Sequence, residues 1–215
     1  MFEDMVKETL KFVVELLARD DIRYPSAVVG GMASVIIHEP EIWETRTYRT
    51  EDVDVLLDFR EDANEIALAL DDLERKGKLE DCTRAGGEGV ISVVPIGPNA
   101  PPLSIDFTYP SEEWLVDLFK HIRLNAKEKL DEIHGTVFYL ARLEDTLLSK
   151  AVIGRRKDKY GLKLCIPHLK KIDWDYFWAA AEKNRVKEEV VRTFREIGIE
   201  VPTEFPKEIR AQGKR

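Results

Sequence analysis

Arg49-Thr50-Glu51-Asp52-Val53-Asp54-Val55-Leu56-Leu57-Asp58-Phe59 is the stretch from which the rest of the chain is read. Strand side chains alternate with a period of two. Val53, Val55, Leu57 and Phe59 therefore share one face of a strand over 52–59. Asp52, Asp54 and Asp58 share the other, with Leu56 between them. Carboxylates two residues apart on one strand face point the same way and repel. Such a pair is tolerated where water surrounds it or where a cation sits between the groups.

On the N-terminal side, Met5, Val6, Leu10, Val13, Val14, Leu17 and Ala18 recur at helical spacing, which predicts an amphipathic helix over 3–19. Tyr24-Pro25 leads into Ser26-Ala27-Val28-Val29, a short apolar run that suits a buried strand. Gly30-Gly31 follows at once, then 32–38, which the pattern allows as helix or strand. A helix is favoured, because a strand, a glycine pair and a helix together present backbone N–H groups at the helix start. Residues 39–48 read as a loop.

On the C-terminal side, Ile66, Ala67, Leu70 and Leu73 mark a helix over 61–77 that stops at Gly77. Gly86-Gly87-Glu88-Gly89 reads as a turn between short strands, the second being Val90–Val94. Leu103-Ser104-Ile105-Asp106-Phe107-Thr108 alternates again and places Asp106 on a polar face with Ser104 and Thr108. Residues 111–131 read as mostly helical, and 136–140 as a strand. From Leu143 the pattern is helical throughout (143–153, 157–166, 174–184 and 186–197), with a polar, basic tail from Pro202. The composition shifts near 140, so the expected organisation is an α+β domain over 1–140 and a helical C-terminal domain over 141–215. The expected fold class is α+β, a mixed β-sheet flanked by helices.

The 215 residues are 44% hydrophobic, enough for a proper core. Net charge is −8, so any polynucleotide contact needs a local basic patch. Cys82 and Cys165 have no partner at ligand spacing and read as reduced thiols of a cytoplasmic protein. The acidic start Met1-Phe2-Glu3-Asp4 lacks the basic opening of a signal peptide, and no apolar run approaches the roughly 20 residues that span a bilayer. The four histidines show no zinc spacing. The four tryptophans read mainly as core or interface fillers.

Three features remain: a Gly-Gly turn, an Asp-x-Asp strand and a later strand carrying Asp106. If the two strands are neighbours, three carboxylates meet on one patch, a donor set that suits Mg²⁺. In this order, Gly30-Gly31, Thr50-Glu51-Asp52-Val53-Asp54 and Asp106 resemble the nucleotidyltransferase fold of the polymerase-beta superfamily. Arg49 and Thr50 ahead of the Asp-x-Asp are similar to the branch holding AbiEii-type toxins of prokaryotic toxin–antitoxin systems and related proteins. Leu147 to Asp158, with Lys150, Arg156 and Asp158, looks like the helical C-terminal segment of that branch.

The resemblance implies a two-metal Mg²⁺ site on Asp52, Asp54 and Asp106, with Asp106 also helping to deprotonate an acceptor hydroxyl. It implies an NTP donor held by Gly30, Gly31, Arg49 and Thr50, with Lys150 and Arg156 adding charge toward the phosphates. The implied enzyme is a nucleotidyltransferase acting on RNA or on a small hydroxylated molecule. A longer gap between Gly31 and Asp52 than in minimal members suggests that the 39–49 loop shapes the acceptor site. Taken singly, each feature has a plainer reading. Asp52 and Asp54 could be a solvated strand face, and the cluster Lys150, Arg155, Arg156, Lys157 and Lys159 a solvated helix end. The rival functional reading is a non-catalytic nucleotide-binding or protein-interaction module.

Overall fold

The computed structural model describes residues 1–19, 21–22, 26–57, 60–87 and 89–200. They divide into two compact units, Met1–Arg142 and the part that begins at Leu143. The expected class holds: the chain is α+β, with one mixed seven-stranded sheet among the described residues and helices in both units.

The first unit opens with α1 (Phe2–Ala18), followed by β1 (Ser26–Gly30), α2 (Gly31–His38), the short α3 (Glu41–Glu44), β2 (Asp52–Leu56) and α4 (Arg60–Arg75). Then come β3 (Cys82–Gly87), β4 (Val90–Pro95), β5 (Ser104–Thr108), α5 (Glu113–Asn125), β6 (Glu128–Ile133) and β7 (Thr136–Leu140). The strand order is β3-β4-β5-β2-β1-β7-β6. Central β2 runs antiparallel to β1 and parallel to β5.

Period-two alternation builds the two faces of this sheet. Val53, Val55, Ile105 and Phe107 are all buried, at 4% exposure or less, whereas Asp52, Asp54, Ser104 and Asp106 between them are half-buried. The apolar face packs under α1, whose Leu10, Val13 and Leu17 line a cavity of about 230 Å³ with Val55, Phe107 and Phe138. That cavity lies against the face away from the carboxylates.

Three expectations need correction. Residues 111–131 are not one helix: α5 ends at Asn125 and the chain turns into β6, which forms a hairpin with β7. Strand β6, Glu128-Lys129-Leu130-Asp131-Glu132-Ile133, is an edge, and charges and a bulge between Lys129 and Asp131 protect it from pairing with another chain. Those same charges erase the alternation that would announce a strand. The 39–48 loop contains the helical turn α3. Gly86 and Gly87 belong to β3, not to the turn after it. Asp58, Phe59, Tyr24, Pro25, Glu88 and the tail from Pro202 lie outside the described residues.

The second unit packs four helices, α6 (Leu143–Ile153), α7 (Arg156–Cys165), α8 (Trp174–Lys183) and α9 (Lys187–Ile197), with a 3-10 turn at Ile166–His168. Helix α6 touches the other three and is buried along most of its length. Its two acids are spoken for. Glu144 accepts the Asp173 backbone N–H at 2.7 Å, and Asp145 accepts the Tyr176 hydroxyl at 3.1 Å. Trp174, Phe177 and Trp178, read from their spacing as core, do pack together: Phe177 stacks on Phe194 of α9 at 5.8 Å, with both tryptophans edge-on.

Asp158 is fully buried at the start of α7, where its carboxylate accepts Arg155 Nε at 2.7 Å and the Arg155 backbone N–H at 3.2 Å. Lys150 Nζ of α6 stands 3.4 Å away and is itself only 11% exposed. Removing one partner of a buried pair leaves an uncompensated charge. Asp158→Ala is therefore expected to cost about 3 kcal/mol or more of stability in this unit, read by urea unfolding followed through Trp174 and Trp178 emission. An unfolding midpoint equal to wild type would show that the contact is idle.

Candidate active site

The polar face of the sheet carries one continuous row. In register across the strands, Gly30 of β1 lies opposite Asp54 of β2, Asp54 opposite Asp106 of β5, and Asp106 opposite Ser92 of β4. Residues paired in register put their side chains on the same face. Adjacent strands are about 4.8 Å apart, so Asp54 and Asp106 are immediate neighbours. Asp52 occupies the next position on the same face, opposite Ser104.

Each carboxylate is held by a hydroxyl. Thr50 Oγ1 donates to Asp52 Oδ1 at 2.6 Å, Thr108 Oγ1 to Asp54 Oδ1 at 3.0 Å, and Ser92 Oγ to Asp106 Oδ1 at 2.5 Å. These clasps set the carboxylate orientations without adding charge. Thr50 is 7% exposed and gives its hydroxyl to Asp52, so in this structure it orients a carboxylate. The linear pattern does not mark Ser92 or Thr108 as partners of the carboxylates. The alternation of Val90-Ile91-Ser92-Val93 already sets Ser92 opposite in face to Ile91 and Val93, but only the strand pairing brings it to Asp106.

Gly31 closes the row at its other end. Its φ is +61°, in the left-handed region that favours glycine. A Cβ placed there would lie 1.6 Å from Asp54 Oδ2, so the carboxylate occupies the space that a side chain would fill. The first turn of α2 thus meets Asp54 directly, where unpaired N–H groups favour negative charge. Gly30 is less constrained, since a Cβ there would meet the Leu56 side chain at 3.2 Å.

Sequence-expected site residues thus fall into two sets. Gly30, Gly31, Thr50, Asp52, Asp54 and Asp106 come together in the first unit, with Arg49 one residue from Thr50. Lys150 and Arg156 belong to the second unit, where Lys150 faces Asp158 and Arg156 is exposed on α7. The carboxylate row is built entirely from the first.

Hard carboxylate oxygens on one face fit a small divalent cation that keeps waters and phosphate oxygens in its shell. Among the described residues no three His, Cys, Asp or Glu side chains are already drawn together as a metal cage. The hydroxyl clasps hold the acids in a row across the strands. No family model matches the chain, and comparison with curated proteins gives no match either.

Proposed function

We propose that this chain is a Mg²⁺-dependent nucleotidyltransferase that moves a nucleoside monophosphate from an NTP to a hydroxyl acceptor and releases pyrophosphate. The observation that carries the reading is the parallel register of β2 and β5, which sets Asp54 beside Asp106 while Gly31 packs against Asp54. On this reading Asp52, Asp54 and Asp106 hold two Mg²⁺ ions. Bound there, the metal supplies Lewis-acid neutralisation of the phosphate charge.

The chain's own residues do the remainder. Asp106 accepts the acceptor's proton as the acceptor oxygen bonds to the α-phosphorus and the bond to pyrophosphate breaks. Ser92, Thr108 and Thr50 keep the carboxylates oriented throughout. The glycine turn, free of Cβ atoms, lets backbone N–H groups approach phosphate oxygens. The acceptor hydroxyl belongs to RNA or to a small hydroxylated molecule. No helix among the described residues is long and apolar enough to cross a membrane. A cytoplasmic location suits the buried, unpaired Cys82 and Cys165.

The test supplies each α-labelled NTP with Mg²⁺ or with EDTA, against RNA and against a pool of hydroxylated small molecules. Transfer to one of these acceptors, with pyrophosphate released and EDTA abolishing both, is expected. NTP binding with no product from any acceptor would instead support a non-catalytic nucleotide-binding module.

A further inference from the structure

The 39–50 segment carries a set of contacts that no hydrophobic pattern explains. Phe2 of α1 packs on Trp43 of α3, with ring centroids 4.4 Å apart and planes tilted by 41°. The Arg49 guanidinium lies over the same tryptophan, with Cζ 3.9 Å from the ring centroid. The backbone between them is pinned. Thr47 and Tyr48 both donate their N–H to the carbonyl of Ile42, at 3.0 and 3.4 Å, and Ile42 is 1% exposed. Thr50, immediately after Arg49, is fixed by its bond to Asp52.

Arg49 is thus an exposed arginine tethered on both sides, three residues before the first carboxylate of the row. Among the described residues its guanidinium makes no hydrogen bond or ion pair, only the ring contact. An exposed arginine ordinarily samples many rotamers, and a ligand that binds it must freeze them. Resting 3.9 Å from the indole centroid, the guanidinium is restricted in the positions it samples, and its own planar fork of N–H donors is held with it. Such a fork of paired donors matches the oxygens of a phosphate group in a bidentate contact.

We propose that Arg49 on Trp43 is a preorganised phosphate fork for the nucleotide donor, with Arg49 touching the phosphate and Trp43 acting as its positioning residue. This rests on the transferase reading for the identity of the ligand, but not for the fork itself. Trp43 then does more than fill space, and the 39–49 segment serves the donor as well as any acceptor.

The test is calorimetric titration of the full chain with inorganic pyrophosphate, and with MgATP and MgGTP in parallel, together with tryptophan emission. Arg49→Gln is expected to weaken pyrophosphate binding about tenfold. Trp43→Leu, which removes the ring but not the charge, is expected to weaken it about three- to tenfold. Trp43→Phe still offers an aromatic face and should restore most of the affinity, and Arg49→Lys should fall between Arg49→Gln and wild type. Pyrophosphate should change wild-type emission but leave that of Trp43→Phe nearly unchanged. Three results would overturn the fork: wild-type protein that binds no pyrophosphate, Trp43→Leu that binds it as wild type does, or Trp43→Phe no better than Trp43→Leu. Should Trp43→Leu fail to fold, the Arg49 pair decides, and equal affinity in Arg49→Gln and wild type overturns the fork. Pyrophosphate binding requires no turnover, so the two claims fail separately. Binding through Trp43 and Arg49 without any transfer sinks the enzyme and spares the fork; transfer with Trp43→Leu unaffected does the reverse.

Discussion

Asp54→Asn is expected to lower Mg²⁺-dependent nucleotide transfer by about 10³-fold or more while leaving the fold in place. Asp54 is the centre of the row, paired in register with Gly30 on one side and Asp106 on the other. The substitution removes an anionic oxygen but keeps an acceptor for the Thr108 hydroxyl, which now bonds Asp54 at 3.0 Å. Relieving repulsion between neighbouring carboxylates should, if anything, raise the melting temperature slightly. Asp106→Asn should behave alike, since Ser92 can still donate to the remaining oxygen. Asp131→Asn on the edge strand β6 is the control and should transfer at the wild-type rate. Initial rates with a labelled NTP, paired with thermal melts, decide the matter. An Asp54→Asn protein that is folded and still active at the wild-type rate would remove the mechanism.

Gly31→Ala is the second large effect, and it comes from a single methyl group. The backbone there has φ +61°, which costs a non-glycine residue about 1–2 kcal/mol. The added Cβ would also fall 1.6 Å from Asp54 Oδ2, closer than any two such atoms can approach. Either Asp54 swings away from the row or α2 shifts from β2. Both outcomes predict lower stability and a loss of transfer comparable to that of Asp54→Asn. Gly30→Ala is the informative partner, because its Cβ meets only the flexible Leu56 side chain at 3.2 Å and its φ is negative. It should cost far less on both counts. Equal melting temperatures and equal rates for Gly31→Ala and wild type would mean that the contact between the glycine turn and the carboxylate has no consequence.

The features most legible in the sequence were those with a strict two-residue period. Val53 and Val55 against Asp52 and Asp54, and Ile105 and Phe107 against Asp106, announce two strands that each have an apolar and an acidic face, and both strands are present. Their adjacency was an assumption at that level, because nothing in a linear pattern says that β5 pairs with β2 rather than with β1. The β6 strand was hidden by its edge position, where protective charges imitate a helical surface. The hydroxyl clasps were hidden for another reason. Ser92 and Asp106 are 14 residues apart, Thr108 and Asp54 are 54 apart, and only the register of three strands unites them. The packing of Trp43 on Phe2 depends on α1 and α3 meeting, which no local period encodes.

The most direct test of the carboxylate row is a crystal of the full chain grown with Mn²⁺ and a non-hydrolysable NTP analogue, examined for anomalous scattering. The expected map has Mn²⁺ bounded by the Asp54 and Asp106 carboxylates, with the triphosphate running to the Gly30–Gly31 turn. Mn²⁺ and nucleotide bound away from that face, with no metal against Asp54 or Asp106, would contradict it.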